Sequence, residues 1–207
     1  MERGERSTAI LRSMSDLLRR ARPARVLLVA LAVLLAASGC GGGDSGEAAG
    51  GAADLPGPPP EGVAYREPPA GAPPAPEIEA ELVDGTPFTA SELWADRPVV
   101  LVFTASWCDA CAGVHRRAAE VVGGREGVTL LGIVPGDDAE GAREYAEELE
   151  LGYPITVGDE RVWLNYAVRE PPAVVLVAPP GNVVRGWPGG VENAVLARSL
   201  DELVEER

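Results

Sequence analysis

Val99-Val100-Leu101-Val102-Phe103-Thr104-Ala105-Ser106-Trp107-Cys108-Asp109-Ala110-Cys111 is the stretch that decides the fold. Its first five residues are β-formers with no polar interruption. Continuous rather than alternating apolar character marks a strand buried on both faces of a sheet. The run breaks at Thr104, and two cysteines follow three residues apart. Ala110 to Val122 then reads as a helix, closed by Gly123-Gly124. A Cys-x-x-Cys placed between a strand and a helix is a redox signal. The spacing brings two sulfurs together across one helical turn. Cys108 falls at the helix N-terminus, where unpaired N–H groups and the helix dipole favour an anion. Thiolate is the nucleophile, and such sites lower a thiol pKa from about 8.5 to roughly 3.5–7.5. Cys111, one turn inside and more buried, is suited to resolve a mixed disulfide.

Working outward, Ile78 and Leu82-Val83 predict a leading strand, ended by the turn pair Asp84-Gly85. Ser91 to Trp94 predicts a short helix. Val128 to Val134 is a second buried strand, stopped by Pro135-Gly136. Asp137 or Asp138 is expected to cap a helix running to about Leu149, with Tyr145 and Leu149 on its inner face. Pro154 to Val157 reads as a short strand and Arg161 to Tyr166 as a helical turn. Ala173 to Ala178 is a third apolar strand. Val183 to Trp187 pairs back on it through Pro179-Pro180-Gly181-Asn182. Val191 to about Val204 is the last helix. Strands alternating with helices predict an α/β fold, and the closing hairpin makes its central sheet mixed, with helices on its faces.

With these elements placed, the domain resembles the thioredoxin superfamily, and especially its extracytoplasmic TlpA/ResA-like branch, over about Glu77 to Leu203. Phe103 to Cys108 resembles that branch's strand-to-site turn. Tyr153-Pro154-Ile155, Asp159 and Tyr166-Ala167-Val168 resemble its inserted segment. Pro172-Ala173-Val174-Val175-Leu176-Val177 resembles its Pro-Thr-Thr-Phe-Leu-Ile strand. The resemblance implies a thioredoxin-like fold, thiol–disulfide exchange by Cys108 and Cys111, and no cofactor or metal. It makes Pro172 a cis-proline beside the disulfide and places Glu170 and Pro171 at the border of the substrate cleft. Pro171 has no N–H, so one substrate-pairing donor is missing there; alternatively Pro171-Pro172 is simply a rigid loop before a strand. Trp107 is expected to pack beside Cys108 and shape the groove, or to serve the core. Asp109 and Ala110 lie between the cysteines. Asp109 opposes a thiolate, or is simply an acid in a helix first turn, where acids are favoured.

Two departures from the family pattern concern the proton on the buried thiol. Thioredoxin proper has an acid where Val102 stands, and many ResA-like reductases have Glu where Val114 stands. His115, four residues after Cys111, is either a base tuning that thiol or a surface histidine. In cells the branch reduces apocytochrome c cysteines, fed by a CcdA-type membrane protein. Both the role and the partner are implied by resemblance only.

The N-terminus reads as an address. Arg19, Arg20, Arg22 and Arg25 precede Val26 to Ala36, a charged region followed by an apolar one. Eleven apolar residues fall short of the roughly 20 that span a bilayer. Ala37-Ser38-Gly39-Cys40 resembles a bacterial lipobox, with Ala37 where Leu is usual; Cys40 would then be acylated and anchor the chain. Otherwise Cys40 is a free thiol. Translation starts at Met1 or Met14. Residues 1–39 are read as a lipoprotein signal peptide, 40–76 as a Gly/Pro-rich tether, and 77–207 as the thioredoxin-like domain outside the cytoplasm.

Charge sorts the partners. Residues 1–39 hold seven Arg against three acids, whereas 40–207 hold eleven Arg against 29 acids, and the chain contains no Lys. So acidic a domain lacks the basic footprint of nucleic-acid binding. Protein thiols and disulfides are the expected substrates. Other readings remain: an oxidase forming disulfides in secreted proteins, a soft-metal (copper) binding module, a structural disulfide in an inactive adaptor, or a peroxiredoxin. The last places Thr or Ser three residues before its reactive cysteine, where this chain has Ala105.

Overall fold

The computed structural model describes residues 49–136 and 138–205. The signal segment 1–39, Cys40, the start of the tether and Asp137 lie outside the described residues. Nine strands are described: β1 (Ala64–Tyr65), β2 (Glu79–Leu82), β3 (Pro87–Thr89), β4 (Val99–Phe103), β5 (Thr129–Pro135), β6 (Ile155–Gly158), β7 (Ala173–Ala178), β8 (Asn182–Pro188) and β9 (Val204–Glu205). Five helices accompany them: α1 (Ser91–Trp94), α2 (Cys111–Gly123), α3 (Ala139–Glu148), α4 (Glu160–Asn165) and α5 (Asn193–Asp201).

Seven strands form one sheet in the order β3-β2-β6-β5-β4-β7-β8. β4, β5 and β6 run parallel, while β7, β8, β2 and β3 join antiparallel. The sheet is therefore mixed, with helices on both faces. β4 sits in its middle with all five residues buried. Its alternate side chains serve two cores. Val100 and Val102 meet Val114, Ala118 and Val121 of α2 and Leu196 and Leu200 of α5. Val99, Leu101 and Phe103 meet Ile78, Leu93, Trp94 and Val162 on the other face. Burying a Val, Leu, Ile or Phe side chain contributes about 1.5–3 kcal/mol, which is why the uninterrupted apolar run was a reliable sign of a central strand. Phe103 is completely buried and meets Trp163 edge-on at 5.2 Å and Tyr166 at 5.4 Å.

The structure differs from the sequence reading in three places. First, residues 49–76, read above as tether, lie along the domain. Ile155 N–H donates to the Gly50 carbonyl at 2.7 Å, and buried Arg97 donates to that of Gly57 at 2.7 Å. Val183 N–H donates to the Pro73 carbonyl at 2.8 Å, and Asn182 Nδ2 donates to that of Ala72 at 3.0 Å. The composition cannot build a core of its own, yet prolines fix φ and limit the entropy lost on docking. Their unpaired carbonyls remain acceptors for donors at the domain surface. Second, the last helix ends at Asp201 rather than near Val204. Val204 and Glu205 instead pair antiparallel with Tyr65 and Ala64 of that strap, and Leu203 is buried beneath. Third, the leading strand is a hairpin: the Asp84-Gly85 turn returns the chain into β3, where Phe88 is buried.

Candidate active site

β4 ends at Phe103 and delivers the next residues to the edge of the sheet. Thr104 N–H donates to the Ile133 carbonyl at 2.9 Å, carrying the β4–β5 pairing one step further. The chain then turns. Cys108 N–H donates to the Ala105 carbonyl at 3.1 Å, and Cys111 N–H donates to that of Cys108 at 3.0 Å. Cys108 and Cys111 are joined as a disulfide with Cα atoms 5.4 Å apart. Cys111 is the first residue of α2, so Cys108 lies in the turn just before the helix rather than inside it. It directly precedes the first turn of α2, where N–H groups lack partners within the helix. The two sulfurs differ in access: Cys108 is 8% exposed and Cys111 is fully buried. Trp107 stands next to Cys108 and is 65% exposed, so it belongs to the surface rather than the core. Asp109 and Ala110 are exposed between the cysteines.

β7 brings the second strand end to the same place. Ala173 is in register with Phe103, so Pro172 falls opposite Thr104 at the mouth of the cysteine loop. The Pro171–Pro172 bond is cis. The Pro172 carbonyl accepts from Gly189 N–H at 2.8 Å. Pro171 is half-buried and Glu170 exposed.

A clamp holds the loop from the far side. The Asp138 carboxylate accepts from Ser106 N–H at 2.7 Å and from the Ser106 hydroxyl at 2.6 Å. Asp138 precedes α3, but its side chain does not cap that helix; the demand of the cysteine loop for an acceptor takes precedence. Gly141 leaves the space for this contact. A Cβ there would come within 2.6 Å of Asp138 and 2.8 Å of Ser106 Oγ. Hydrogen bonds to a charged group are worth about 1.5–3 kcal/mol. Asp138→Ala is therefore expected to lower stability by about 2 kcal/mol and to increase protease cleavage next to Trp107. Urea unfolding and limited proteolysis check both; an unchanged midpoint and cleavage pattern would count against the clamp.

Behind the disulfide lies a group of aromatic and polar side chains. Tyr145 of α3 packs against Ala105, Cys108 and Cys111. His115 is fully buried, not a surface residue, and meets Tyr145 edge-on at 5.7 Å between ring centres. Its other face stacks on Tyr153 at 5.7 Å, and its Nδ1 is hydrogen-bonded to the Tyr153 hydroxyl. Burial lowers the His115 pKa from 6.5 to about 4, so the ring is neutral at physiological pH. Burial likewise raises the Tyr145 and Tyr153 pKa values. Among the described residues no group of three or more His, Cys, Asp or Glu is placed to hold a metal ion.

Sequence reasoning brought forward Trp107, Cys108, Asp109, Ala110, Cys111, Pro171 and Pro172, and the fold gathers them at one sheet end. It read Asp138 only as a cap and Tyr145 only as a packing residue. Cys40 lies outside the described residues.

Comparison with known proteins agrees with this geometry. The sequence profile described as the AhpC/TSA family matches residues 72–185. Haemophilus influenzae thiol:disulfide interchange protein DsbE is 23% identical over 128 residues, covering 61% of this chain and 70% of that protein. Among solved structures, dsbF of MTB is 27% identical with a TM-score of 0.54, covering 61% of this chain and 96% of that one. The exposed lipoprotein thioredoxin Etrx1 of Streptococcus pneumoniae strain TIGR4 has a TM-score of 0.55 at 23% identity, covering 62% of this chain and all of that one. The fold is thioredoxin-like.

Proposed function

The chain belongs to the AhpC/TSA family of thioredoxin-like proteins, and from that premise we propose that it is an extracytoplasmic reductase of protein disulfides working through Cys108 and Cys111. It is a thiol–disulfide oxidoreductase. The observation that carries the site assignment is the unequal access of the pair, with Cys108 near the surface beside exposed Trp107 and Cys111 sealed behind it. That asymmetry supports Cys108 as the attacking thiol and Cys111 as the resolving one. The Cys108 thiolate attacks one sulfur of a substrate disulfide and expels the other as thiolate. Cys111 then attacks Cys108 Sγ, releases the second substrate thiolate and closes the Cys108–Cys111 bond. Two electrons pass to the substrate. Peroxide reduction fits less well, because Ala105 offers no hydroxyl three residues before Cys108 and a partner thiol already stands at Cys111.

Direction and place follow from the sequence resemblance. The TlpA/ResA-like segments favour reduction of apocytochrome c cysteines, with a CcdA-type membrane protein recharging the dithiol. Trp107, Asp109, Ala110, Pro171 and Pro172 border the cleft for the substrate chain. Cys40 carries the lipid in this reading.

The direction is tested by mixing the reduced chain with an oxidised Cys-x-x-Cys-His peptide, the haem-attachment pattern. In parallel, the oxidised chain is mixed with a reduced unfolded protein. Faster reduction of the peptide is expected. Faster oxidation of the unfolded protein would overturn the reductase reading in favour of a disulfide-forming oxidase.

A further inference from the structure

Three prolines converge at the mouth of the cysteine loop. Pro171 and Pro172 end the segment that leads into β7. Pro188 ends β8 beside them, in register with Ala173, and the next residue, Gly189, donates to the Pro172 carbonyl. The turn that follows packs on the helix that carries Cys111. A Cβ on Gly190 would come within 2.8 Å of Val114 of α2. None of the three prolines has a backbone N–H.

Few backbone groups are left there for an incoming chain. The Pro172 carbonyl is taken by Gly189 N–H at 2.8 Å. On the loop itself, the Cys108 and Cys111 N–H groups already donate to the Ala105 and Cys108 carbonyls. The Pro171 carbonyl accepts from no group among the described residues. An extended segment laid against this rim gives one N–H to Pro171 and receives no N–H from any of the prolines in return. A substrate carbonyl turned to the rim loses its water without replacement, and an unmade hydrogen bond of that kind is costly.

The rim offers apolar surface instead. Trp107 is 65% exposed, Pro188 is exposed, and Pro171 and Trp187 are half-buried. Apolar side chains lose no hydrogen bond on meeting such a surface and gain by leaving water. An exposed tryptophan beside the attacking sulfur is the kind of anchor that carries a large share of binding energy.

We infer that Pro171 and Pro188 make this a one-acceptor, apolar rim, so that the site selects cysteines flanked by apolar residues and grips the substrate backbone through the Pro171 carbonyl alone. The inference rests on thiol–disulfide exchange at Cys108 and adds the substrate class. Two-way backbone pairing, with an N–H given and an N–H received, is closed to this chain at Pro171. Selection therefore falls on the side chains next to the substrate sulfur.

The test uses the reduced full chain in detergent, carrying Cys40→Ser so that only the pair reacts. The probe is a short peptide with Leu on both sides of one cysteine, whose sulfur is joined in a disulfide to nitrothiobenzoate. Cys108 thiolate attacks the peptide sulfur, the new bond joins Cys108 to the peptide, and nitrothiobenzoate leaves as the coloured thiolate. Rates are divided by those with the nitrothiobenzoate disulfide of mercaptoethanol, which has no backbone. Replacing both Leu by Ser is expected to slow the relative rate about tenfold. Methylating the backbone nitrogens of the residues around the cysteine one at a time should slow it about 3- to 10-fold at one position, the effect of one ordinary hydrogen bond. Pro171→Ala supplies an N–H and should raise the relative rate with the Leu peptide about 3- to 10-fold. The methylated peptides read the parent chain, so they decide the matter even if that variant folds poorly. Equal rates with the Leu and Ser peptides would overturn the apolar rim. No loss at any methylated position, or equal losses at several, would overturn the single acceptor. Absence of release from the mercaptoethanol disulfide would instead overturn thiol–disulfide exchange itself.

Discussion

Replacing Cys108 with Ser is expected to abolish disulfide reduction, with a loss on the order of a thousandfold or more, as for removal of other attacking nucleophiles. A serine hydroxyl in place of the thiol is not ionised at neutral pH and cannot form the mixed disulfide. Replacing Cys111 with Ser has a different outcome. Cys108 is the more exposed sulfur, so it still attacks, but nothing inside the domain releases the substrate. The chain should accumulate as a one-to-one adduct with an oxidised peptide, detected as an added peptide mass without reductant. Steady turnover should fall about as far as with Cys108→Ser. The order of roles would be wrong if Cys108→Ser trapped the adduct and Cys111→Ser did not.

Acid is expected to destabilise the fold through His115. The buried ring stays neutral down to about pH 4, whereas in the unfolded chain it takes a proton near pH 6.5. Between these values the unfolded state binds more protons, so stability falls as the pH drops through that window. Above pH 6.5 both states are neutral and His115 makes no contribution to the pH dependence. The full window corresponds to about 3 kcal/mol by pH 4. Carboxylates titrate over the same range, so the informative quantity is the difference between the parent chain and His115→Gln. Urea unfolding of both oxidised chains at pH 7, 5.5 and 4 measures it. The parent's stability should drop relative to the variant by about 3 kcal/mol from pH 7 to pH 4. A constant difference across that range would show that His115 is not a buried neutral ring.

Much of this molecule was legible because its strongest signals are local. Val99 to Phe103 declared a doubly buried strand by the absence of polar residues, and the cysteine spacing declared the turn that follows. Ala173 to Ala178 was readable for the same reason. What escaped depends on partners distant in sequence. Asp138 reads as a cap from its neighbours, but it binds Ser106, 32 residues away. His115 shows how residue type misleads. It lies at the i+4 position from Cys111, on the face that also carries Val114, Ala118, Val121 and Val122. The spacing put it on roughly the same helix face as Cys111, yet residue type alone left a surface histidine equally open. The strap misled through composition. Gly and Pro exclude a core made from residues 49–76 alone, but not docking of their carbonyls on donors that the domain already offers. The short pairing of Tyr65 with Val204 then ended the last helix before its apolar pattern did.

The reduction potential of the Cys108–Cys111 pair, measured by equilibrating the full chain with dithiothreitol or glutathione buffers, tests the central claim most directly. A protein-disulfide reductase should show a single reversible two-electron couple at or below about −250 mV, in the range of thioredoxin-like reductants. A couple near about −120 mV would contradict the reductase direction, and the absence of any reversible couple would contradict the oxidoreductase itself.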